Sequence, residues 1–222
     1  MRSLDANSDD RPESTDRWGL GSLILFGLAS SALLMAISPL FVDSSYSIAT
    51  ETLSRAGGQG VDGAWVQRAG VVVASISVLA MTVSGAKMWG GWARRWMQTY
   101  AVALILLVVF PTSPWDGTPF DPGVAELHTG SAVVGGLAFI LGIVSISMGR
   151  SPGTGLRRVF DWTVVAAVAV IPQLMLMSTV PGIWQRLMVA LGYLWLLVEA
   201  ATMANALRAD RFTELERPDV NA

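Results

Sequence analysis

Residues 128–148 read HTGSAVVGGLAFILGIVSISM, and residues 149–158, which follow directly, read GRSPGTGLRR. An apolar stretch of this length, free of Asp, Glu, Lys and Arg, is enough for an α-helix to cross the roughly 30 Å hydrocarbon core of a bilayer. The segment after it carries three arginines, and basic residues accumulate in the cytoplasmic segments of membrane proteins. This pair of segments therefore predicts a transmembrane helix that ends on the cytoplasmic side.

The same alternation of apolar stretches and polar segments runs through the whole chain of 222 residues, which is 52% hydrophobic and only 14% charged. Soluble domains are about one quarter charged. Apolar stretches occupy residues 20–41, 66–88, 97–110, 128–148, 162–180 and 184–207, and the third is the shortest. We therefore predict an all-α fold, a bundle of six transmembrane helices over residues 18–207. The connection at residues 181–183 is so short that helices 5 and 6 must be antiparallel neighbours.

The basic residues indicate the orientation of these helices. Twelve of the fifteen lie in the two terminal tails, at or just after the end of the second stretch, and after the fourth stretch, and only Arg55, Arg68 and Arg186 remain for the opposite side. The positive-inside rule then places both termini in the cytoplasm. We predict a multi-pass protein of the cell membrane, or plasma membrane, with disordered cytoplasmic tails at residues 1–17 and 208–222.

Composition also excludes several classes of function. The chain has no cysteine, so disulfides and thiolate metal sites are excluded. The basic residues form no patch beyond the ordinary cytoplasmic segments, so we assign no nucleic-acid partner. No motif indicates a cofactor, and we assign none.

Two outer loops, the first at residues 43–64 and the second at residues 112–127, carry most of the unusual residues. The run ETLSRAGG at residues 51–58, preceded by Tyr46, together with the Phe110-Pro111 pair and the single His128, resembles the bacterial six-helix membrane family DUF998, a domain of unknown function. The resemblance covers roughly residues 18–207. DUF998 is similar to the eukaryotic Frag/DRAM/Sfk membrane proteins, which are linked to autophagy and to plasma-membrane lipid organisation. The resemblance implies six helices with a structured outer face, and it implies no reaction.

Two arginines, Arg68 and Arg186, lie a few residues inside predicted helix starts. Such a side chain can extend to the membrane interface. It can also pair with Glu51, Asp116 or Glu126 and so fix the loops over the helix ends. A third alternative is an anionic lipid headgroup, because two forked donors suit a phosphate. We group Arg68, Arg186, His128, Glu51, Arg55 and Glu126 as candidate ligand-binding or lipid-binding residues.

His128 is the only histidine, so any proton exchange near neutral pH that needs an imidazole depends on it. Too few nitrogen or sulfur ligands remain for zinc, and we assign no metal site. We expect His128 to cap helix 4 and to hydrogen-bond to the first outer loop. The alternative is an enzyme that acts on lipid headgroups, with His128 beside Asp116, Asp121 or Glu126. We assign no catalytic residues.

Glu199 lies well inside the sixth stretch, roughly 13 Å from its cytoplasmic end at 1.5 Å per residue. An ionised carboxylate in lipid is costly, so we expect Glu199 to face the bundle and to bind a polar partner such as Lys87. A proton relay is the alternative. Pro172 and Gln173 interrupt helix 5, either as a simple kink or as part of a substrate cavity at the midplane.

Taken together, these residues predict a non-enzymatic integral membrane protein that binds membrane lipids, another membrane protein or a larger membrane complex through its outer face. A small-solute or proton-coupled transporter that uses Glu199 and Gln173 is one alternative. An enzyme centred on His128 is the other.

Overall fold

The structure is a computed structural model that describes residues 13–151 and 154–215, without the side chains of residues 13–18, 87 and 210–215. In this part of the chain every long regular element is an α-helix. The six helices are α1 (Glu13–Ile37), α2 (Ala64–Ser84), α3 (Gly91–Val109), α4 (Pro122–Met148), α5 (Gly155–Met177) and α6 (Pro181–Leu215). An all-α fold is therefore confirmed.

The helices form a closed ring in chain order. Each helix packs against the next, and α6 returns to pack against α1. The predicted pairing of helices 5 and 6 is confirmed. Side chains from all six helices meet in one buried core, which includes Leu28, Val78, Met97, Ile143, Val164 and Trp195. Small residues allow close approach: a Cβ on Gly135 of α4 would lie 3.2 Å from Ala103 of α3.

The outside of the ring is apolar, which points to a membrane environment. Phe26 of α1 is 71% exposed and Leu176 of α5 is 89% exposed, and many similar side chains surround the bundle. Soluble monomers rarely expose apolar area on this scale. Among the described helices, five are long and apolar enough to cross a bilayer; α3, which begins with two arginines in its first turns, is the exception. The coarse prediction of a multi-pass helical membrane protein is supported.

Helix boundaries differ from the sequence prediction mainly at polar ends. α4 begins at Pro122, six residues before His128, because Asp121 caps it by accepting hydrogen bonds from the N–H groups of Gly123 (2.8 Å) and Val124 (3.3 Å). α5 begins at Gly155 instead of residue 162, and α6 continues to Leu215. α1 and α6 thus enter the segments that we assigned to disordered tails; residues 1–12 and 216–222 lie outside the described part.

The two ends of the ring differ in their connections. One end, here the loop end, is built from residues 38–63, 110–121 and 178–180. The opposite end, here the arginine end, is built from residues 85–90, 149–151 and 154 with the adjoining helix turns. At the loop end the chain enters α2 through Gly63, whose φ is +77°. A Cβ there would overlap the carbonyl group of Phe41, so only glycine fits.

Candidate functional site

Arg186, in the second turn of α6, holds the first loop against the bundle. Its Nη1 donates to three carbonyl oxygens, those of Ile48 (2.7 Å), Glu51 (2.9 Å) and Gly182 (3.0 Å). Its Nη2 donates to the hydroxyl of Tyr46 at 2.7 Å, and that hydroxyl donates in turn to the carbonyl of Thr52 at 2.9 Å. One guanidinium group therefore joins the first loop to the start of α6.

Arg68, in the second turn of α2, has the same role in the second half of the loop. Its Nε donates to the Gly57 carbonyl at 3.0 Å and its Nη2 to the Gly58 carbonyl at 2.7 Å. Arg55 pairs with Glu51 at 2.7 Å across one turn of the loop. Arg68 and Arg186 therefore hold the loop over the helix ends, as one of the predicted alternatives had it. Their acceptors, however, are backbone carbonyls and a phenol and not the expected carboxylates.

The second loop lies against the first. Gln59 connects them, since its amide donates to the carbonyls of Pro111 and Asp121, both at 3.0 Å, and accepts from the Asp121 N–H at 2.9 Å. The rings of Tyr46 and Trp115 meet edge to face at 4.9 Å. The two loops therefore form one continuous layer over the helix ends.

Exposed carboxylates stabilise tight turns in this layer. Asp43 accepts from the Ser45 N–H at 2.8 Å, and Asp116 accepts from the Thr118 N–H at 3.0 Å. These hydrogen bonds lower the pKa of both carboxyl groups, since they favour the ionised form. Glu126 lies exposed on the first turns of α4 and makes no ion pair within the described residues. None of these carboxylates lies beside Arg68 or Arg186 as a partner.

His128 is buried in the second turn of α4 and contacts the end of α3. Its Nδ1 lies 2.8 Å from the Phe110 carbonyl and 3.2 Å from the Leu107 carbonyl, so Nδ1 carries the proton and donates. We expected a contact with the first outer loop instead. The hydrogen bonds satisfy carbonyls that the end of α3 leaves open. His128 therefore joins the start of α4 to the end of α3.

The arginine end contains a buried cluster of charges, here called the ion-pair cluster: Arg150, Arg157, Asp161 and Glu199. Arg150 donates to Asp161 Oδ2 at 2.9 Å and to Glu199 Oε2 at 2.8 Å. Arg157 donates to Glu199 Oε2 at 2.5 Å and lies 3.6 Å from Asp161 Oδ1. Both carboxylate side chains are only 1% exposed.

Two tryptophans complete the ion-pair cluster. The indole N–H of Trp89 donates to Glu199 Oε1 at 3.0 Å, and that of Trp195 donates to Asp161 Oδ1 at 2.8 Å. All four carboxylate oxygens therefore have a partner. Burial alone would lower the pKa of Arg150, but the hydrogen bonds and negative charges of Glu199 and Asp161 raise it.

Of this cluster, only Glu199 was singled out from the sequence as a buried charge. We named Lys87 as a partner of Glu199; its side chain lies outside the described part, and Glu199 binds Trp89, Arg150 and Arg157 instead. Asp161 was missed because we began helix 5 one residue after it. The i,i+4 spacing of Arg157 and Asp161 was a readable signal, since such residues face each other on a helix.

Gln173 does not take part in a cavity with Glu199. It lies exposed on the outside of α5, next to Pro172, and its amide is positioned to donate to the Val170 carbonyl at 2.9 Å. Twelve residues separate it from Asp161 along α5, or about 18 Å at 1.5 Å per residue. The two residues that the transporter alternative requires are therefore far apart.

The ring of apolar helices, with its largest polar networks at the two ends, defines a multi-pass helical membrane protein. The sequence matches one family, "Protein of unknown function (DUF998)", over residues 25–202. The chain thus belongs to the DUF998 family, as the motif resemblance predicted. Comparison with curated proteins and with solved structures gave no significant match.

Proposed function

We propose that this protein is a non-enzymatic protein of the cell membrane that binds a second membrane protein through its loop end. The observation that carries the proposal is the hydrogen bonding of Arg186 to four oxygen atoms of the first loop and α6. These hydrogen bonds hold the first loop in one conformation, so the loop does not have to become ordered when a partner binds. Its ordering entropy is therefore not subtracted from the binding free energy.

Exposed apolar side chains on this ordered layer favour a protein partner. Ile48 of the first loop is 53% exposed and Phe120 of the second is 45% exposed. Both lie in connections outside the apolar spans, so lipid chains do not account for them. Aromatic and aliphatic side chains of this kind form the centre of typical protein interfaces.

The charge of the loop end favours a partner with basic residues over an anionic lipid. The charged groups there are the carboxylates of Asp43, Glu51, Asp62, Asp116, Asp121 and Glu126, and the guanidinium groups of Arg55, Arg68 and Arg186. Arg68 and Arg186 donate to oxygens of the loop, and Arg55 is paired with Glu51. The remaining carboxylates repel phosphate and attract lysine or arginine side chains.

The test is quantitative co-isolation from native membranes in mild detergent. Ile48→Ala with Phe120→Ala should reduce the recovered partner about tenfold, which corresponds to about 1.4 kcal/mol, while leaving the thermal stability of the protein unchanged. Leu176→Ala, a lipid-facing position on α5, is the control and should retain the partner. Equal recovery from all variants, or recovery of lipid alone, contradicts the proposal.

The proposed role requires the loop end to face away from the cytoplasm, with six spans and both termini inside. Support comes from α3, which packs between α2 and α4 and is about 28 Å long at 1.5 Å per residue. The cysteine-free chain allows single-cysteine labelling with a membrane-impermeant maleimide. Ser44→Cys and Pro119→Cys should react in intact cells, and Gly90→Cys and Ser151→Cys only after lysis. Any other pattern rejects this topology.

A further inference from the structure

An open pocket of about 270 Å³ lies at the arginine end, between the last turn of α4 and the first turns of α5. Its lining residues are Ser147, Met148, Arg158 and Trp162. The pocket falls just below the ~300 Å³ at which sites for drug-sized ligands begin. It is thus suited to a small polar group and not to a large organic ligand.

Ser147, which lines this pocket, has an unusual hydroxyl group. Ser131, Ser145 and Thr163 each donate to the carbonyl four residues earlier, at 2.7–2.8 Å, as hydroxyls in helices commonly do. Ser147 is only 2% exposed, yet its Oγ has no hydrogen-bond partner in the described part of the chain. A buried polar group without a partner is costly, so a missing partner is expected here.

Arg158 adds a second unsatisfied donor to the same pocket. Its Nη2 donates to the Arg150 carbonyl at 2.7 Å, which fixes the guanidinium group. Its Nε is buried and has no partner among the described residues. The two nearby buried carboxylates, Asp161 and Glu199, are already bound by Arg150, Arg157 and two indoles. Among the described residues, no carboxylate therefore neutralises the charge of Arg158.

The other two lining residues are apolar and face outward. Trp162 is 51% exposed and Met148 is 75% exposed, at the level where apolar helices give way to the arginine-rich connection. Tryptophan prefers this headgroup level of a membrane. A ligand in the pocket would therefore meet two polar donors on one side and hydrocarbon on the other.

We propose that Ser147 and Arg158, flanked by Trp162, bind the phosphate group of an anionic phospholipid at the arginine end of the bundle. Arginine forks and hydroxyl groups are suitable donors for phosphate oxygens. The phosphate neutralises Arg158 and accepts from Ser147, and the acyl chains lie along Met148 and Trp162. This site is separate from the loop end, and its test does not depend on the proposed partner.

Native mass spectrometry of the detergent-solubilised protein, titrated with phosphatidylglycerol, measures this binding. Ser147→Ala should weaken it about tenfold, and Arg158→Gln by tenfold or more, since each removes a donor to a charged group. Ser145→Ala and Arg95→Gln are matched controls at the same end; Ser145 donates to its own helix, and Arg95 stacks on Trp92. Both controls should bind lipid as the wild type does.

Stability separates this role from a purely structural one. In lipid-free detergent, Ser147→Ala should not lower the unfolding temperature, because it removes a polar group that has no partner. Phosphatidylglycerol should raise the unfolding temperature of the wild type more than that of Ser147→Ala. Equal lipid binding by Ser147→Ala and Ser145→Ala overturns the proposal. Stabilisation by inorganic phosphate with no further gain from phosphatidylglycerol overturns the assignment to a lipid.

Discussion

The loop end and the arginine end of the bundle both rely on arginine, but the arginines bind different acceptors. At the loop end, Arg68 and Arg186 donate to backbone carbonyls and hold irregular chain in place. At the arginine end, Arg150 and Arg157 bind two buried carboxylates. Carbonyl acceptors leave the arginine charge in excess, whereas carboxylates cancel it. Removal of one partner of an arginine should therefore lower the free energy of unfolding far more at the arginine end than at the loop end.

The largest effect is expected from Glu199→Gln, which leaves two buried guanidinium groups with one carboxylate. Removing one partner of a buried ion pair costs about 3–5 kcal/mol. Chemical unfolding in detergent micelles should show this loss. Glu126→Gln, at an exposed carboxylate of the loop end, should change the free energy of unfolding by less than about 0.5 kcal/mol. Similar losses in both variants would remove the distinction between the ends.

Gly182→Ala tests how tightly the loop end is packed. A Cβ at this position would approach the carbonyl oxygens of Glu51, Ile48 and Ala49 to less than 3 Å. The first loop must therefore move, which should lower the free energy of unfolding by about 1–3 kcal/mol. Protease should then cut the loop faster than in the wild type. Gly130→Ala is the control, since its Cβ would have open space. That variant should be neutral or more stable by up to about 1 kcal/mol. A protease-resistant Gly182→Ala protein would contradict the packing argument.

Comparison of Arg186→Gln with Arg55→Gln sets an arginine that is bound to carbonyls against an arginine in an ordinary surface ion pair. The change leaves acceptors at the loop end without a donor, so we expect a loss of about 1–3 kcal/mol. Arg55→Gln removes only a half-exposed pair with Glu51, for which less than about 1 kcal/mol is expected. Unfolding of both variants under the same conditions gives the difference. Equal losses would show that Arg186 is not the main contact of the loop.

Alkaline pH should loosen the loop end and spare the arginine end. Burial raises the pKa of Tyr46, although Arg186 opposes the shift. Its neutral form thus stabilises the fold below the ordinary value of about 10, and this contribution is lost as pH rises through the higher folded value. Proteolysis of the first loop should increase above about pH 10. Tyr46→Phe should lack this alkaline step; if the step persists, another group is responsible.

Much of this fold could be predicted from sequence, because transmembrane helices are local features. Apolar stretches and arginine-rich connections each consist of residues that are neighbours in the sequence. The helices and the pairing of α5 with α6 could therefore be predicted. Helix starts were harder to predict. α5 begins seven residues before the predicted start, because its first two turns contain arginines and an aspartate that face the bundle. Hydropathy alone treats such residues as loop.

The polar networks were harder to predict, because they depend on which distant residues meet. Glu199 lies 49 positions from Arg150 and 110 from Trp89, and no local pattern connects them. At the loop end, Arg186 was a candidate because of its position near a predicted helix start, but three of its acceptors are backbone carbonyls, which every residue has. Sequence shows where a donor is placed and does not show which backbone oxygen it reaches.

The closure of the ring by α6 has a consequence for synthesis of the chain. Arg150, Arg157 and Asp161 all leave the ribosome before Glu199, so the two arginines share a single carboxylate until the last helix has been inserted. Until then the arginine end carries a positive charge that Asp161 alone does not balance. A chain that stops short of residue 199 therefore lacks one of the two carboxylates of the ion-pair cluster.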